Sequence, residues 1–470
     1  MKQTLILCLV VFSWGCQDFL SVEIDDQLSN EDILSDANNA NLAAVGLYNH
    51  LGDNSLYGEF LIMYPELMAG HLQPSPDRSI TTNLIDAYAN TYQFMTQLDE
   101  SRISDVYEVN YEGIMSASRL IEAVPEIEDS RSNLLRAIEG EARVIRALLY
   151  FQLLQIYGQD YNYTPSASHL AVPYYDQPLG VFERLPRASV GEVYNQIIED
   201  LQTARPLLNG ANVRAGNPKY WARPGIPEAL LSRVYLFQGR WQLAIDAGAE
   251  ARNLLSFDLL TPDSYVENWT ESQYAEALWI LDQSYRQATG INSAFGSGDS
   301  TRSQTFVVTQ ELFDSYPQDD ERRQLYEVSE ALIFSKKYPF EPNTTQAKPI
   351  IRASEVILNQ AEAHAQLGQL TEAENLMREV LLQSQSDPAL PSGNASEWLT
   401  FIAEERAKEL ALEGMAFWDI RRRQENVVRE ACESSGFENC SQTYPSDRYV
   451  LPIPQEAIIV NPLLEQNPGY

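Results

Sequence analysis

Residues 402–423 read IAEERAKELALEGMAFWDIRRR, and the fold turns on how that stretch is read. Glu405, Glu409 and Glu413 recur at steps of four, and Arg406 stands three before Glu409 and seven before Glu413. Such spacings place all four on one stripe of an α-helix. Ile402, Ala403, Ala407, Leu410, Ala411, Leu412, Phe417 and Trp418 cover much of the remaining circumference. A helix apolar on most of its sides is buried. Its carboxylates then need cations, because an unpaired buried charge is strongly destabilising. The compensators at hand are Arg406 and Arg421 to Arg423, with Arg143, Arg146 and Arg352 as candidates from elsewhere in the chain. The stretch is either a structural ion-pair network in a helical core or a carboxylate active site.

The rest of the chain favours the first. His occurs only at positions 50, 71, 169 and 364, and no zinc-protease, serine-hydrolase, P-loop or dinucleotide-binding signature is present. Nothing in the sequence calls for a metal, a cofactor or a nucleophilic serine. The one catalytic option left is a carboxylate pair of the glycoside-hydrolase kind. Arginines beside Glu405, Glu409 and Glu413 lower a carboxylate pKa, whereas a general acid needs it raised. The protein is therefore expected not to be an enzyme.

Around the opening stretch the periodicity is helical. It predicts helices over about 30–50 (capped by Ser29), 101–124, 130–157 and 189–208. Two helix pairs follow, 227–238 with 241–255 and 352–367 with 370–382. Tyr235-x3-Gly239-x4-Ala244 matches His364-x3-Gly368-x4-Ala373. A Gly at the turn and a small residue early in the second helix are marks of tetratricopeptide-like hairpins. Residues 72–97 and 261–349 break the pattern with Pro, Ser, Asn and aromatics, apart from a β-like run near 324–334. Residues 431–470 read as packed coil.

The net charge of −33 excludes nucleic acid as a partner, since phosphate affinity rests on Lys and Arg. It also argues against docking on anionic lipid. Cys432 and Cys440 lie eight apart in a loop-like stretch with no His nearby. That spacing fits a small disulfide in an oxidising compartment and does not decide between bonded and free thiols. At the N-terminus, Lys2 precedes an apolar run from Leu5 to Trp14, too short to span a bilayer and suited to a signal peptide. The run ends Ser13-Trp14-Gly15-Cys16, which resembles a bacterial lipobox. Lipidation is expected at Cys16 after removal of residues 1–15, and two or more acyl chains give stable anchoring.

Several blocks in order resemble one family, the SusD/RagB-like outer-membrane nutrient-binding lipoproteins of Bacteroidetes. They are Cys16-x-Asp18-Phe19-Leu20, Gly140-Glu141-Ala142-Arg143-x2-Arg146-Ala147, Arg187-x-Ser189-x2-Glu192-Val193-Tyr194, Arg352-x2-Glu355, Glu405-Arg406-x2-Glu409-Leu410-x2-Glu413-Gly414-x2-Phe417-Trp418-Asp419, and an ending from Pro452-Ile453-Pro454 to Asn467-Pro468-Gly469-Tyr470. Ala416 stands where the family usually carries a basic residue. The resemblance implies a mostly α fold, with tetratricopeptide-like helix pairs forming a right-handed helical scaffold and an irregular, loop-rich ligand-binding lobe. It implies a signal peptide over 1–15, an N-terminal helical region over 16–260 with the excursion 72–97, a variable lobe over 261–349, and a C-terminal helical region and packed tail over 350–470. It further implies a glycan ligand (a peptide in the RagB-like branch), a lipid anchor in the outer membrane at the cell surface, and a SusC-like TonB-dependent transporter as partner.

No motif transfers the ligand residues. Sugars present apolar C–H faces to aromatic rings, so aromatics in the irregular segments are the candidates. They are Tyr88, Tyr92 and Phe94 with Asn90 beside them, and Tyr265, Trp269 and Tyr285 in the variable lobe.

Overall fold

A computed structural model describes residues 34–75, 88–180, 182–210, 214–282, 290–295, 305–338, 347–429, 432 and 437–470. Cys16, Tyr285 and the signal-peptide segment lie outside them. Among the described residues, no helix is long and apolar enough to cross a membrane.

The first helix is α1 (Ala37–Leu51), capped by the Asp36 carboxylate, which accepts from the N–H groups of Asn38 and Asn39. Its cap is Asp36; Ser29 and residues 30–33, where the periodicity began this helix, lie outside the described residues. The short α2 (Phe60–Ala69) follows, apolar apart from Glu66, then strand β1 (Leu72–Pro74). The long pair α3 (Ser101–Ala123) and α4 (Asn133–Tyr157) comes next. Helix α5 (Val190–Leu208) opens on a capping box between Ser189 and Glu192. Helices α6 (Ile226–Phe237) and α7 (Trp241–Leu254) turn at Gly239, and α9 (Ala353–Gln366) and α10 (Leu370–Leu381) turn at Gly368. Both glycines have φ near +70°, which a residue with a Cβ disfavours, and both Ala244 and Ala373 are fully buried.

Successive helices pack side by side, α3 on α4, α4 on α5, α5 on α6, α6 on α7 and α7 on α9. Helix α4 is the hub. From Val144 to Tyr157 every residue is buried, polar Arg146, Gln152 and Gln155 included. Between the helix pairs lie α8 (Pro262–Thr270) and four short strands, β2 (Ala277–Leu281), β3 (Phe306–Val308), β4 (Tyr326–Ser329) and β5 (Leu332–Ser335). Strand β6 (Lys348–Arg352) pairs antiparallel with β2, and β3 pairs with β1, so this region is laced into the helical body at two points. The run near 324–334 forms the β4–β5 hairpin.

The opening stretch is not one helix. It comprises α11 (Ala395–Glu409), a turn, and α12 (Ala416–Arg422). Leu412 and Gly414 both have positive φ in the turn, and a Cβ on Gly414 would collide with the Leu61 carbonyl oxygen. The buried Glu66 carboxylate accepts from the N–H groups of Leu412 (2.9 Å), Gly414 (2.9 Å) and Met415 (3.2 Å). A carboxylate brought in from α2 thus satisfies the donors that a helix break leaves open. The chain after α12 carries a Cys432–Cys440 disulfide and a short helix, α13 (Gln455–Val460).

Candidate functional site

The aromatics proposed from sequence are mostly core. Tyr88, Tyr92, Phe94, Tyr265 and Trp269 are each 5% exposed or less. Tyr88 donates to Glu59 and lies beneath the Arg102 guanidinium. Tyr92 and Phe94 both pack on the guanidinium of Arg429, 4.1 and 4.8 Å from their ring centres. Tyr265 donates to Glu409, and Trp269 carries the Lys337 ammonium over its ring at 4.4 Å. Asn90 is exposed and donates to Glu100. These five rings cannot stack on a ligand as they stand: cations already cover four of them, and Tyr265 is fully buried with its hydroxyl on Glu409.

The glutamates of the opening stretch meet cations, most of them from distant segments; the one near neighbour is Lys408, which pairs with Glu405. Arg322 reaches Asp320 (2.7 Å), Glu405 (2.8 Å) and Glu409 (3.3 Å). Arg352 holds Glu276, Glu409 (2.8 Å) and Glu413 (2.7 Å), and Lys337 joins Glu413 at 2.6 Å. Arg406 turns away to Asp419 and Asn359, both within 2.8 Å. Arg143 and Arg146 form a separate cluster on Asp200 between α4 and α5. Burial alone would raise the Glu409 carboxyl, but Arg352, Arg322 and Lys337 overcome it and hold it below the usual carboxylate range. A carboxylate buried and paired in this way reaches no substrate. Sequence reasoning missed Arg322, Lys337, Asp320 and Glu276 as members. The sparse lysines were the one signal available for Lys337.

A long groove runs along α3, with a volume of about 790 Å³. Its floor is the stripe of α3 from Ser104 through Tyr107, Glu108, Tyr111, Glu112 and Met115 to Arg119. Residues at spacings of three and four share one helical face, and the stripe spans ~22 Å at 1.5 Å per residue. Tyr107 and Tyr111 lie 4.7 Å apart by ring centres, and Tyr175 from the opposite wall is 5.2 Å from Tyr111. Tyr111 and Tyr175 are half-buried, each with part of its surface open. Burial pushes the Tyr107 hydroxyl up to about 12, so it stays a neutral donor at physiological pH.

The walls are fixed by backbone bonds. Tyr111 donates to the Pro173 carbonyl (2.8 Å), and the Tyr150 hydroxyl accepts from the Tyr175 N–H (2.8 Å). Arg187 donates to the carbonyls of Ala171 (2.6 Å), Leu170 (3.1 Å) and Glu465 (3.0 Å) and to Asn467 Oδ1 (2.6 Å). The Asn467 amide donates in turn to the carbonyls of Leu451 and Tyr157, and Asn461 donates to Leu185. Residues 461–467 thus serve as a clasp for the wall facing α3. Phe182, in the wall segment, is 90% exposed, and Val460 on the rim is 62% exposed. A second cleft of about 840 Å³ opens beside Trp241, over a floor made by the Arg422–Glu362 ion pair. Its aromatics are Trp241 and the buried Phe237, whereas the α3 groove offers a row of tyrosines.

Comparison with known proteins places this geometry. Residues 18–236 match the family described as "Starch-binding associating with outer membrane", and residues 334–470 match the SusD family. SusD-like protein P25 of Formosa agariphila is 21% identical, with 100% of this chain and 99% of that protein covered. A crystal structure of a SusD superfamily protein from Bacteroides vulgatus superposes with a TM-score of 0.81 at 24% identity, covering 93% of this chain and 99% of the other. A laminarin-binding SusD-like protein superposes with a TM-score of 0.72 at 23% identity, covering 93% and 100%.

Proposed function

Because this chain belongs to the SusD/RagB-like family, we propose that it is a glycan-binding lipoprotein of the outer membrane. In this reading Cys16 carries the lipid, the body sits at the cell surface, and bound oligo- or polysaccharide passes to a SusC-like TonB-dependent transporter. The observation that carries the binding step is the row of Tyr107, Tyr111 and Tyr175 along the α3 groove. Sugar rings stack their C–H faces on such rings, while hydroxyls and carboxylates at the edges fix orientation. A ~22 Å floor suits a chain of several rings better than a single small molecule. The family described as starch-binding and the laminarin-binding relative point the same way. Glu405 and Glu409 of α11 are locked in ion pairs, which favours binding over hydrolysis.

The test is calorimetry of the full-length protein against a panel of glycans and peptides, with product analysis. A glycan should bind and remain intact, and Tyr111→Ala and Tyr175→Ala should each weaken it about tenfold or more, about 1.4 kcal/mol. Binding of peptides alone, or turnover of a glycan, would overturn the reading. The anchor is tested separately: Cys16→Ala should move the protein out of the membrane fraction.

A further inference from the structure

We propose that the α3 groove selects uncharged glycan chains and rejects sulfated or uronate-bearing ones, an inference that rests on the groove being the glycan site. Glu108 and Glu112 stand one turn apart on the exposed floor of α3. Among the described residues, neither carboxylate takes a hydrogen bond or ion pair from the protein, unlike the paired glutamates of the core. Two like charges at this spacing already repel each other. At the groove's edge Glu456 accepts from Ser104, tying wall to floor at 2.5 Å, and Glu183 accepts from the Gly180 N–H.

Two arginines, Arg119 and Arg184, line the groove beside four glutamates, Glu108, Glu112, Glu183 and Glu456, so the lining keeps a net negative charge. Arg184 retains its charge but is held on the wall, donating to the carbonyls of Val460 and Glu183. Arg119 lies seven and eleven residues beyond Glu112 and Glu108, ~10 and ~16 Å along the helix. Those separations match or exceed the screening length at physiological salt, about 8 Å. An anionic chain laid on the tyrosines would therefore bring its charge against two unneutralised carboxylates. A neutral chain meets them differently, because sugar hydroxyls are donors and an ionised carboxylate is an acceptor with several free lone pairs. The same groups that repel a sulfate thus hold a hydroxyl. The net charge of −33 works in the same direction at long range.

The experiment pairs each neutral polymer with its own charged form: laminarin and maltooligosaccharides, each beside a chemically sulfated derivative, titrated into the full-length protein. The neutral form should bind at least tenfold more tightly at low ionic strength. The gap should narrow as salt rises, and Glu108→Gln/Glu112→Gln should narrow it further, with the melting temperature checked to show that the variant folds. Equal or tighter binding of the sulfated form overturns the charge inference and leaves glycan capture standing. A gap indifferent to both salt and the double substitution also overturns it, since discrimination would then be steric. If neither form of any polymer binds, the glycan reading itself falls and takes this inference with it.

Discussion

Glu409 is the residue on which the buried charges converge. It accepts from Arg352, Arg322 and Tyr265, and it is fully buried. Removing the charge from one partner of such a set leaves the others uncompensated, at a cost of about 3–5 kcal/mol. Glu409→Gln keeps the shape and should lose about 3 kcal/mol in denaturant unfolding, with glycan affinity unchanged; a loss under about 1 kcal/mol would mean the set is not holding the scaffold. Acid should act on the same groups. Burial would raise Asp419 and Glu362 as well, but neighbouring arginines hold Asp419 well below the carboxylate range and lower Glu362, as Arg352 and Arg322 lower Glu409. Groups depressed in the folded state contribute stability above the ordinary range, about pH 4 to 4.5, and lose it as pH falls through their lowered values. Glu276 and Glu141 run the other way, raised by burial against Arg352 and Arg214, so their contribution is present in acid and lost as pH rises through their raised values. Unfolding midpoints from about pH 3 to pH 8 should therefore peak in mild acid and fall more steeply on the acid side. The sequence showed that Glu405, Glu409 and Glu413 are buried and need cations. It could not show which, since Arg322 and Lys337 arrive from 87 and 76 positions away, at Glu409 and Glu413 respectively.

At the level of elements, the helices were legible and the break was not. Ser189 with Glu192, and the glycines between paired helices, are local signals that name a start or a turn without help from the fold. The segment LALEGM has no such signal, and its residues are good helix formers apart from Gly414. What ends α11 is Glu66, 346 positions from the Leu412 N–H it accepts. The aromatic segment 88–94 went astray for a similar reason. It looks like an exposed loop until Arg429 covers it, and Arg429 is itself held by the carbonyls of Asn439 and Cys440. The break gives a sharp prediction. Gly414→Ala forces a positive φ on alanine and a methyl onto the Leu61 carbonyl, so it should cost about 2 kcal/mol or more, read as a lowered melting temperature. A neutral outcome would show that the turn has slack the packing does not reveal.

For the whole molecule, the body of the fold followed from periodicity, whereas the groove did not. Tyr107 and Tyr111 fall on the stripe of α3 that reads as core, and the wall that leaves Tyr111 half-open comes from two remote segments. Arg187 couples those segments to each other and to α4 through four backbone carbonyls and Asn467, with no carboxylate partner among the described residues. Burial moves it down to about 10. Arg187→Lys keeps the charge and loses the planar fork, so most of these bonds go with it. It should cost about 2 kcal/mol of stability and weaken glycan binding together, because both walls loosen. Unchanged affinity beside lost stability would detach Arg187 from the groove.

The bond from Ser104 to Glu456 closes the groove across 352 residues of chain. Floor and wall are therefore made far apart in synthesis and meet only after the helices between them have stacked. Contacts this distant in sequence form late, because the loop they close must first be ordered. A growing chain therefore holds the tyrosine floor long before it holds a pocket.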